Sequence, residues 1–423
     1  MRKSANSLHV IQHTAAFVCL FALQIAVIAN SDGGDDRAET ETVGVAGVER
    51  STADATSVGS GPAPTTTAAP TTTAVPDETS TTSTSSTTTT TTTTTQRPLD
   101  PVTFESLARI DTILDYTDFT TQGPSRWRNS IDGLEELTLV SSADGADQPV
   151  FWLPPTGDHE QPVLVILHSW SSQYTQHAGI PFADWAQENG WAMIAPEFRG
   201  KNDDADAVGS ALAVQDVADA IDFAVAQDGV DEDRVFVVGY SGGGMMALLA
   251  AGQHPDKVTA VSAWGPPHDL ENFYDFSRIQ GLGYWDDIRR ACGGDPRQEG
   301  EAQIECLTRS PSTYLDVIRE HEIPVFIGQG IWDPFVMRNA AADVYNALAD
   351  SDDRLSDDEV ESLRRGRVPG ESADAVTIET HFEDRDPDPV FARQSASVLV
   401  VYFAAEHDLV YGAAAEWFAT DPR

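Results

Sequence analysis

From Pro162 onward, short apolar runs alternate with stretches in which apolar positions recur every three or four residues. The runs are Val163 to Leu167, Trp191 to Ala195, Val235 to Val238, Val258 to Trp264, Pro324 to Ile327 and Val398 to Phe403. Each has the length of a strand and is apolar at successive positions, so both of its faces should be buried. Between them, Phe182, Trp185 and Ala186 mark one helical face. Val214, Val217, Ala218, Ile221, Ala224 and Val225 mark a second, and Met245 to Ala251 predicts another helix. Strands of this kind alternating with such helices predict an α/β architecture, a mostly parallel central sheet with helices on both faces.

Upstream the pattern changes. Leu137 to Val140 and Pro149 to Leu153 read as two antiparallel strands joined by a turn at Asp144-Gly145. Phe104, Leu107, Ala108 and Leu114 predict one face of a helix. Residues 31 to 98 carry almost no large apolar side chains, and Thr87 to Thr95 is unbroken threonine. Such a stretch cannot bury enough surface to offset its ordering entropy, so it is expected to be a disordered spacer of the kind that carries O-glycans. At the N-terminus, Arg2 and Lys3 precede an apolar run from Thr14 to Ala29. With small residues at Val27 and Ala29, this reads as an export signal cleaved before Asn30. The run is short for a membrane span and is interrupted by Gln24. An uncleaved anchor is the alternative, and no other membrane insertion is expected. The expected organisation is therefore a signal peptide over 1–29, a linker over 30–98 and an α/β domain over 99–423, secreted or held at the cell surface.

Charge narrows the partners. The formal net charge is −41, from 67 acidic and 26 basic side chains, and such a surface repels phosphate backbones. No nucleic-acid partner is expected. Of the three cysteines, Cys19 falls in the signal, leaving Cys292 and Cys306. In an exported protein two cysteines this close usually pair, and the short loop they close predicts a stabilisation of about 3 kcal/mol. Two free buried thiols are the alternative. No P-loop, dinucleotide fingerprint or zinc spacing is present, so neither cofactor nor metal is expected. An acidic cluster at Glu383, Asp384, Asp386 and Asp388 lacks the spacing of a calcium loop and reads as a solvated loop. The oligomeric state is left open.

The chemistry centres on Gly239-Tyr240-Ser241-Gly242-Gly243, which follows a predicted strand and precedes a predicted helix. That context suits a nucleophile elbow, a tight turn that lifts the Ser241 hydroxyl above the sheet. It sets the amide of Gly242 at a helix N-terminus, where it can bind a developing oxyanion. A serine needs a base, and the base an orienting acid, here in the order Ser, acid, His. Asp333 follows the strand Pro324 to Ile327, and His407 follows the last strand. Asp269 is the rival acid and His381 the rival base. A backbone amide near Trp170, in the turn after the first core strand, is the expected second oxyanion donor. Trp170 and Trp332 are candidate walls of the substrate pocket, with core packing the equal alternative.

These residues resemble a family. The segment from about Leu137 to Phe418 looks like the catalytic domain of the prolyl oligopeptidase family, within the α/β-hydrolase superfamily. The matching stretches are Ala195-Pro196-Glu197-Phe198-Arg199-Gly200, Asp231-Glu232-Asp233-Arg234-Val235 with the elbow that follows, Gly293-Gly294-Asp295-Pro296, and Ser310-Pro311-Ser312-Thr313-Tyr314-Leu315. The resemblance implies Ser241 as nucleophile, Asp333 as acid, His407 as base, and a peptide substrate. Ester and amide hydrolysis share this constellation, so an esterase is the alternative, and an inactive binding protein a more distant one. Three departures stand out. The stretch from 99 to 136 is too short for the family's β-propeller. His168-Ser169 replaces the usual His-Gly. An acidic stretch from about Asp350 to Arg385 is longer than expected, and its Ser356 and Glu359 form a capping-box start for a short helix.

Overall fold

The computed structural model describes residues 97–370, 378–382 and 385–422. The export segment, nearly all of the threonine-rich stretch, and Glu383 and Asp384 of the acidic cluster lie outside the described residues. A hairpin opens the sheet: β1 (Glu135–Val140) pairs antiparallel with β2 (Asp147–Leu153) around Asp144-Gly145. The parallel strands follow: β3 (Gln161–Leu167), β4 (Ala192–Pro196), β5 (Val230–Tyr240), β6 (Ala260–Trp264), β7 (Val325–Gly330) and β9 (Val398–Phe403). Between the last two in sequence lies β8 (Pro389–Ser395). The order across the sheet is β1-β2-β4-β3-β5-β6-β7-β9-β8, with β4 to β9 parallel and both edges antiparallel. This is the mostly parallel sheet that the apolar runs predict, in an α/β-hydrolase arrangement.

Burial follows the sequence pattern. Every residue of β3, β4, β6, β7 and β9 is buried, whereas β1 alternates between exposed and half-buried positions. Each fully buried Val, Ile or Leu on these strands contributes about 1.5–3 kcal/mol relative to exposure. Helices α3 (Ile180–Glu188), α4 (Ala211–Val225) and α5 (Gly242–Gln253) cover the predicted stretches. Ser210 caps α4, its hydroxyl accepting from the Ala213 amide. Arg199 pins the hairpin to α4 through Asp144 and Asp216, and its guanidinium holds the Asp144 carboxyl down at about 2.

The N-terminal helix differs from expectation. Residues around 105–109 form turns, and only α1 (Ile113–Tyr116) is helical there, followed by α2 (Pro124–Ser130). Leu107 is buried while Leu114 is 51% exposed, so these side chains do not share a face. The segment is held instead by hydrogen bonds: Glu188 accepts from the Glu105 and Ser106 amides, and Trp185 Nε1 donates to the Thr103 carbonyl. Tertiary contacts override the local apolar spacing.

The stretch between β6 and β7 is largely helical, with α6 (Leu270–Gln280), α7 (Tyr284–Ala291), α8 (Glu301–Thr308) and α9 (Leu315–Glu320). Cys292 and Cys306 form a disulfide with Cα atoms 5.2 Å apart, joining the end of α7 to α8. Both sulfur-bearing residues are buried, in the main core. After β7 come α10 (Ala340–Leu348) and α11 (Asp357–Arg364), the latter with the predicted Ser356–Glu359 capping box, and the chain ends in α12 (Tyr411–Ala419).

Candidate active site

Ser241 sits between β5 and α5 with φ 56° and ψ −118°, a conformation that non-glycine residues avoid. The turn is tight enough that its glycines are obligatory. A Cβ on Gly239 would stand 2.1 Å from the Gly243 carbonyl oxygen, and one on Gly243 2.2 Å from that of Leu167. Ser241 N–H donates to the Trp264 carbonyl at 2.7 Å, fixing the elbow to the end of β6. The serine itself is only partly buried.

Asp333 lies just past β7 and is 1% exposed. Its Oδ1 accepts from the Phe335 and Val336 amides at 2.8 and 2.9 Å. Its Oδ2 accepts from Gln329 Nε2 at 2.7 Å and lies 2.6 Å from His407 Nδ1. A carboxylate facing Nδ1 places the ring proton there, which leaves Nε2 as the basic nitrogen. His407 is brought against the elbow from two sides. Its ring centroid is 4.7 Å from that of Tyr240, and its Cε1 is 3.0 Å from where a Cβ on Gly265 would stand. Phe335 packs on the ring edge-on at 5.7 Å.

The rivals lie elsewhere. Asp269 caps α6, accepting from the Asn272 amide at 2.8 Å. His381 stands near Glu379, in a cleft lined also by Val398 and Leu399, at the opposite end of β9 from His407.

Sequence reasoning missed Gln329. Its one signal was a polar residue inside an otherwise apolar strand, fully buried. Tyr240, inside the elbow motif, is a second residue that the sequence pattern does not single out. It donates its hydroxyl to the His407 carbonyl at 2.8 Å.

Trp170 and Gly242 lie side by side. A Cβ on Gly242 would stand 2.6 Å from Trp170 N. The Gly242 amide opens α5 and has no intrahelical acceptor, and Trp170 N–H makes no hydrogen bond among the described residues. The main-chain nitrogen of Trp170 thus lies close against Gly242, the residue after Ser241. The two tryptophan side chains differ. Trp332 is 46% exposed beside Asp333. Trp170 is 3% exposed, packed edge-on against Phe273 and Tyr284, the core packing that the sequence left as the alternative. Its Nε1 donates to Asp287 at 3.1 Å, and burial pushes that carboxyl up to about 6. His168 stacks flat on Phe198 at 3.8 Å, and burial pushes its imidazole down, keeping it neutral.

The family model of the prolyl oligopeptidase family matches residues 183–361, a span that holds Ser241 and Asp333 and ends before His407. Among curated proteins, dipeptidyl aminopeptidase BIII of Pseudoxanthomonas mexicana is 27% identical over 227 residues, covering 50% of this chain and 30% of that protein. Feruloyl esterase B of Thermothelomyces thermophilus is 26% identical over 139 residues, covering 31% of this chain and 48% of that protein. Among solved structures, the acylaminoacyl peptidase of Pyrococcus horikoshii aligns with a TM-score of 0.43 at 18% identity, covering 54% of this chain and 37% of that one. The match thus spans less than half the length of each of these relatives. The chain has an α/β-hydrolase fold and resembles the catalytic domain of the prolyl oligopeptidase family.

Proposed function

We propose that this chain is a secreted serine peptidase that cleaves amide bonds through an acyl-enzyme on Ser241. The observation that carries the reading is the buried Asp333–His407 pair at 2.6 Å, set against the elbow that bears Ser241. His407 Nε2 takes the Ser241 proton as the hydroxyl oxygen attacks the substrate carbonyl. The carbonyl oxygen becomes an oxyanion between the Gly242 and Trp170 amides. The tetrahedral adduct then collapses, and His407 returns the proton to the leaving amine. Water enters, His407 activates it in the same way, and the acyl group leaves as the acid. Asp333 stays ionised throughout, holding the ring orientation and balancing the imidazolium charge.

The prolyl oligopeptidase family match and the dipeptidyl aminopeptidase relative support a peptide substrate. The feruloyl esterase relative supports a second reading, a carboxylesterase using the same groups. The Cys292–Cys306 disulfide and the N-terminal apolar run support export. A fluorophosphonate probe on the purified protein, with the Ser241→Ala variant as control, tests the nucleophile. Matched peptide-amide and acyl-ester substrates with one acyl group then separate the readings. Ester turnover with no measurable amide turnover across a peptide panel would overturn the peptidase assignment.

A further inference from the structure

Gln176 lies in the loop between β3 and α3 and is buried. Its side-chain Oε1 accepts from the Ser169 amide at 2.8 Å. Only the oxygen can accept from an N–H, so this bond fixes which way the carboxamide faces. Nε2 then donates to Ser169 Oγ at 2.8 Å and to the Phe119 carbonyl at 2.5 Å. The serine that stands where the family pattern has glycine thus supplies an acceptor to this side chain. One end of the carboxamide grips the residue before Trp170, and the other reaches a segment that precedes the sheet.

That segment is a strap, residues 111–123, anchored at both ends. At one end Thr112 bridges Val410, and Tyr411 N–H donates to the Asp111 carbonyl at 3.0 Å, close behind His407 in the chain. At the other, His177 N–H donates to the Thr121 carbonyl at 2.9 Å, and Gly123 N–H to that of Thr175 at 3.0 Å. Between the anchors the Phe119 ring meets Tyr240, the neighbour of Ser241, edge-on at 6.2 Å. The strap therefore touches the elbow and the loop of the candidate base, and Gln176 ties the turn bearing Trp170 to it.

The tie bears on one N–H. The Ser169 carbonyl and the Trp170 N–H belong to one planar trans peptide and point in opposite directions. Ser172 N–H donates to that carbonyl at 3.1 Å, and His168 Nδ1 lies 3.1 Å from it. Ser169 is thus held at its N–H, its hydroxyl and its carbonyl, which fixes the direction of the Trp170 N–H. A buried glutamine gives up rotamer freedom and hydration, and must find partners in exchange. Here every side-chain partner lies on Ser169 or on the strap.

We infer that Gln176 is a positioning residue that sets the Trp170 amide relative to the Ser241 elbow, so that this amide meets the developing oxyanion without rearrangement. The inference rests on Ser241 as nucleophile and on the Trp170 amide as oxyanion donor. Gln176 itself touches no reacting atom, and no proton passes through it.

The test uses the full chain with Gln176→Met, Ser169→Ala, the two combined, and Ser241→Ala. Gln176→Met keeps an unbranched side chain of similar length and removes all of its side-chain hydrogen bonds. Ser169→Ala removes only the Oγ acceptor and is the milder change. For each variant kcat and KM on a p-nitrophenyl ester, and the rate of fluorophosphonate labelling, are taken per folded molecule, with melting temperature alongside. In Gln176→Met, kcat and labelling rate are expected to fall on the order of tenfold or more, and in Ser169→Ala roughly a few-fold, with KM nearly unchanged. The combined variant should be no slower than Gln176→Met, because the Oγ bond is already lost. A glutamine that only stabilises the fold predicts a lower melting temperature with kcat per folded molecule within about twofold of wild type, and that result overturns the inference. A loss confined to KM overturns it as well. If Gln176→Met yields no folded protein, Ser169→Ala decides: a lowered kcat supports the inference and a wild-type kcat overturns it. Labelling that survives Ser241→Ala would instead sink the nucleophile assignment, so the two failures are distinguishable.

Discussion

Tyr240 donates its hydroxyl to the main-chain carbonyl of His407 at 2.8 Å, so the residue beside the candidate nucleophile holds the loop of the candidate base. Burial pushes this phenol well above its usual range, which keeps it a donor at any working pH. Removing the hydroxyl by Tyr240→Phe leaves a buried carbonyl unpaired, at a cost of about 1–3 kcal/mol. It also frees the His407 loop, and kcat is expected to drop on the order of tenfold with little change in KM. Steady-state kinetics and thermal melting check both parts. An unchanged kcat would show that the loop is positioned without this hydrogen bond.

Ser241→Ala and His407→Ala should each lower turnover by several orders of magnitude, leaving only binding and the oxyanion donors at work. The residual rates should be similar, since the two groups act as a unit. A His407→Ala variant within tenfold of wild type would remove His407 from the mechanism.

Gln329→Leu should lower kcat while sparing KM, because Gln329 Nε2 shares Asp333 Oδ2 with His407. The expected loss is on the order of tenfold. An effect on KM alone would place Gln329 in binding rather than in positioning the acid.

Asp408 follows His407 and is buried, its Oδ1 accepting from the Ile113 and Leu409 amides. Burial raises its carboxyl from 3.8 to about 7. The folded protein thus holds a proton that the unfolded chain releases near pH 4. The associated stability is complete below pH 4 and is lost as the pH rises through 7. Asp408→Asn, neutral at every pH and still able to accept, should melt higher than wild type at pH 8, and the gap should close towards pH 4. A gap independent of pH would contradict this.

Reducing the Cys292–Cys306 disulfide should lower stability by about 3 kcal/mol, read as a fall in melting temperature. The bond anchors α7, whose Tyr284 and Asp287 support Trp170. Activity on bulky substrates should therefore fall more than on small esters. Equal losses on both would confine the bond to stability.

The apolar runs made the sheet legible because parallel strands are buried on both faces, and the elbow was legible because its glycines are sterically forced. Asp333 and His407 followed from their places at strand ends. Other features resisted reading for physical reasons. The β8 strand carries Arg393 and Gln394 among its apolar residues, as an edge strand does, and so shows no continuous run. Helices α6 to α9 are short and pack on one another or on α5, which blurs their periodicity. The false helix around Phe104 had the right spacing, but side-chain acceptors on α3 captured its amides. Gln329 and Tyr240 make their contacts with Asp333 and His407 through side chains whose partners no local pattern encodes.

The antiparallel strands β1 and β8 have a consequence for how the molecule behaves among its neighbours. Parallel strands as apolar as β4 and β9 would present adhesive margins if the sheet ended there. Here β1 puts Glu135 and Glu136 on one margin, and β8 puts Pro389 and Arg393 on the other. Proline offers no N–H to an incoming strand, and charge disfavours stacking of a second sheet. The long segment between Asp333 and His407 thus guards against aggregation: cutting it out would leave the triad's sequence order intact but expose the open edge of Val398–Phe403 to other chains.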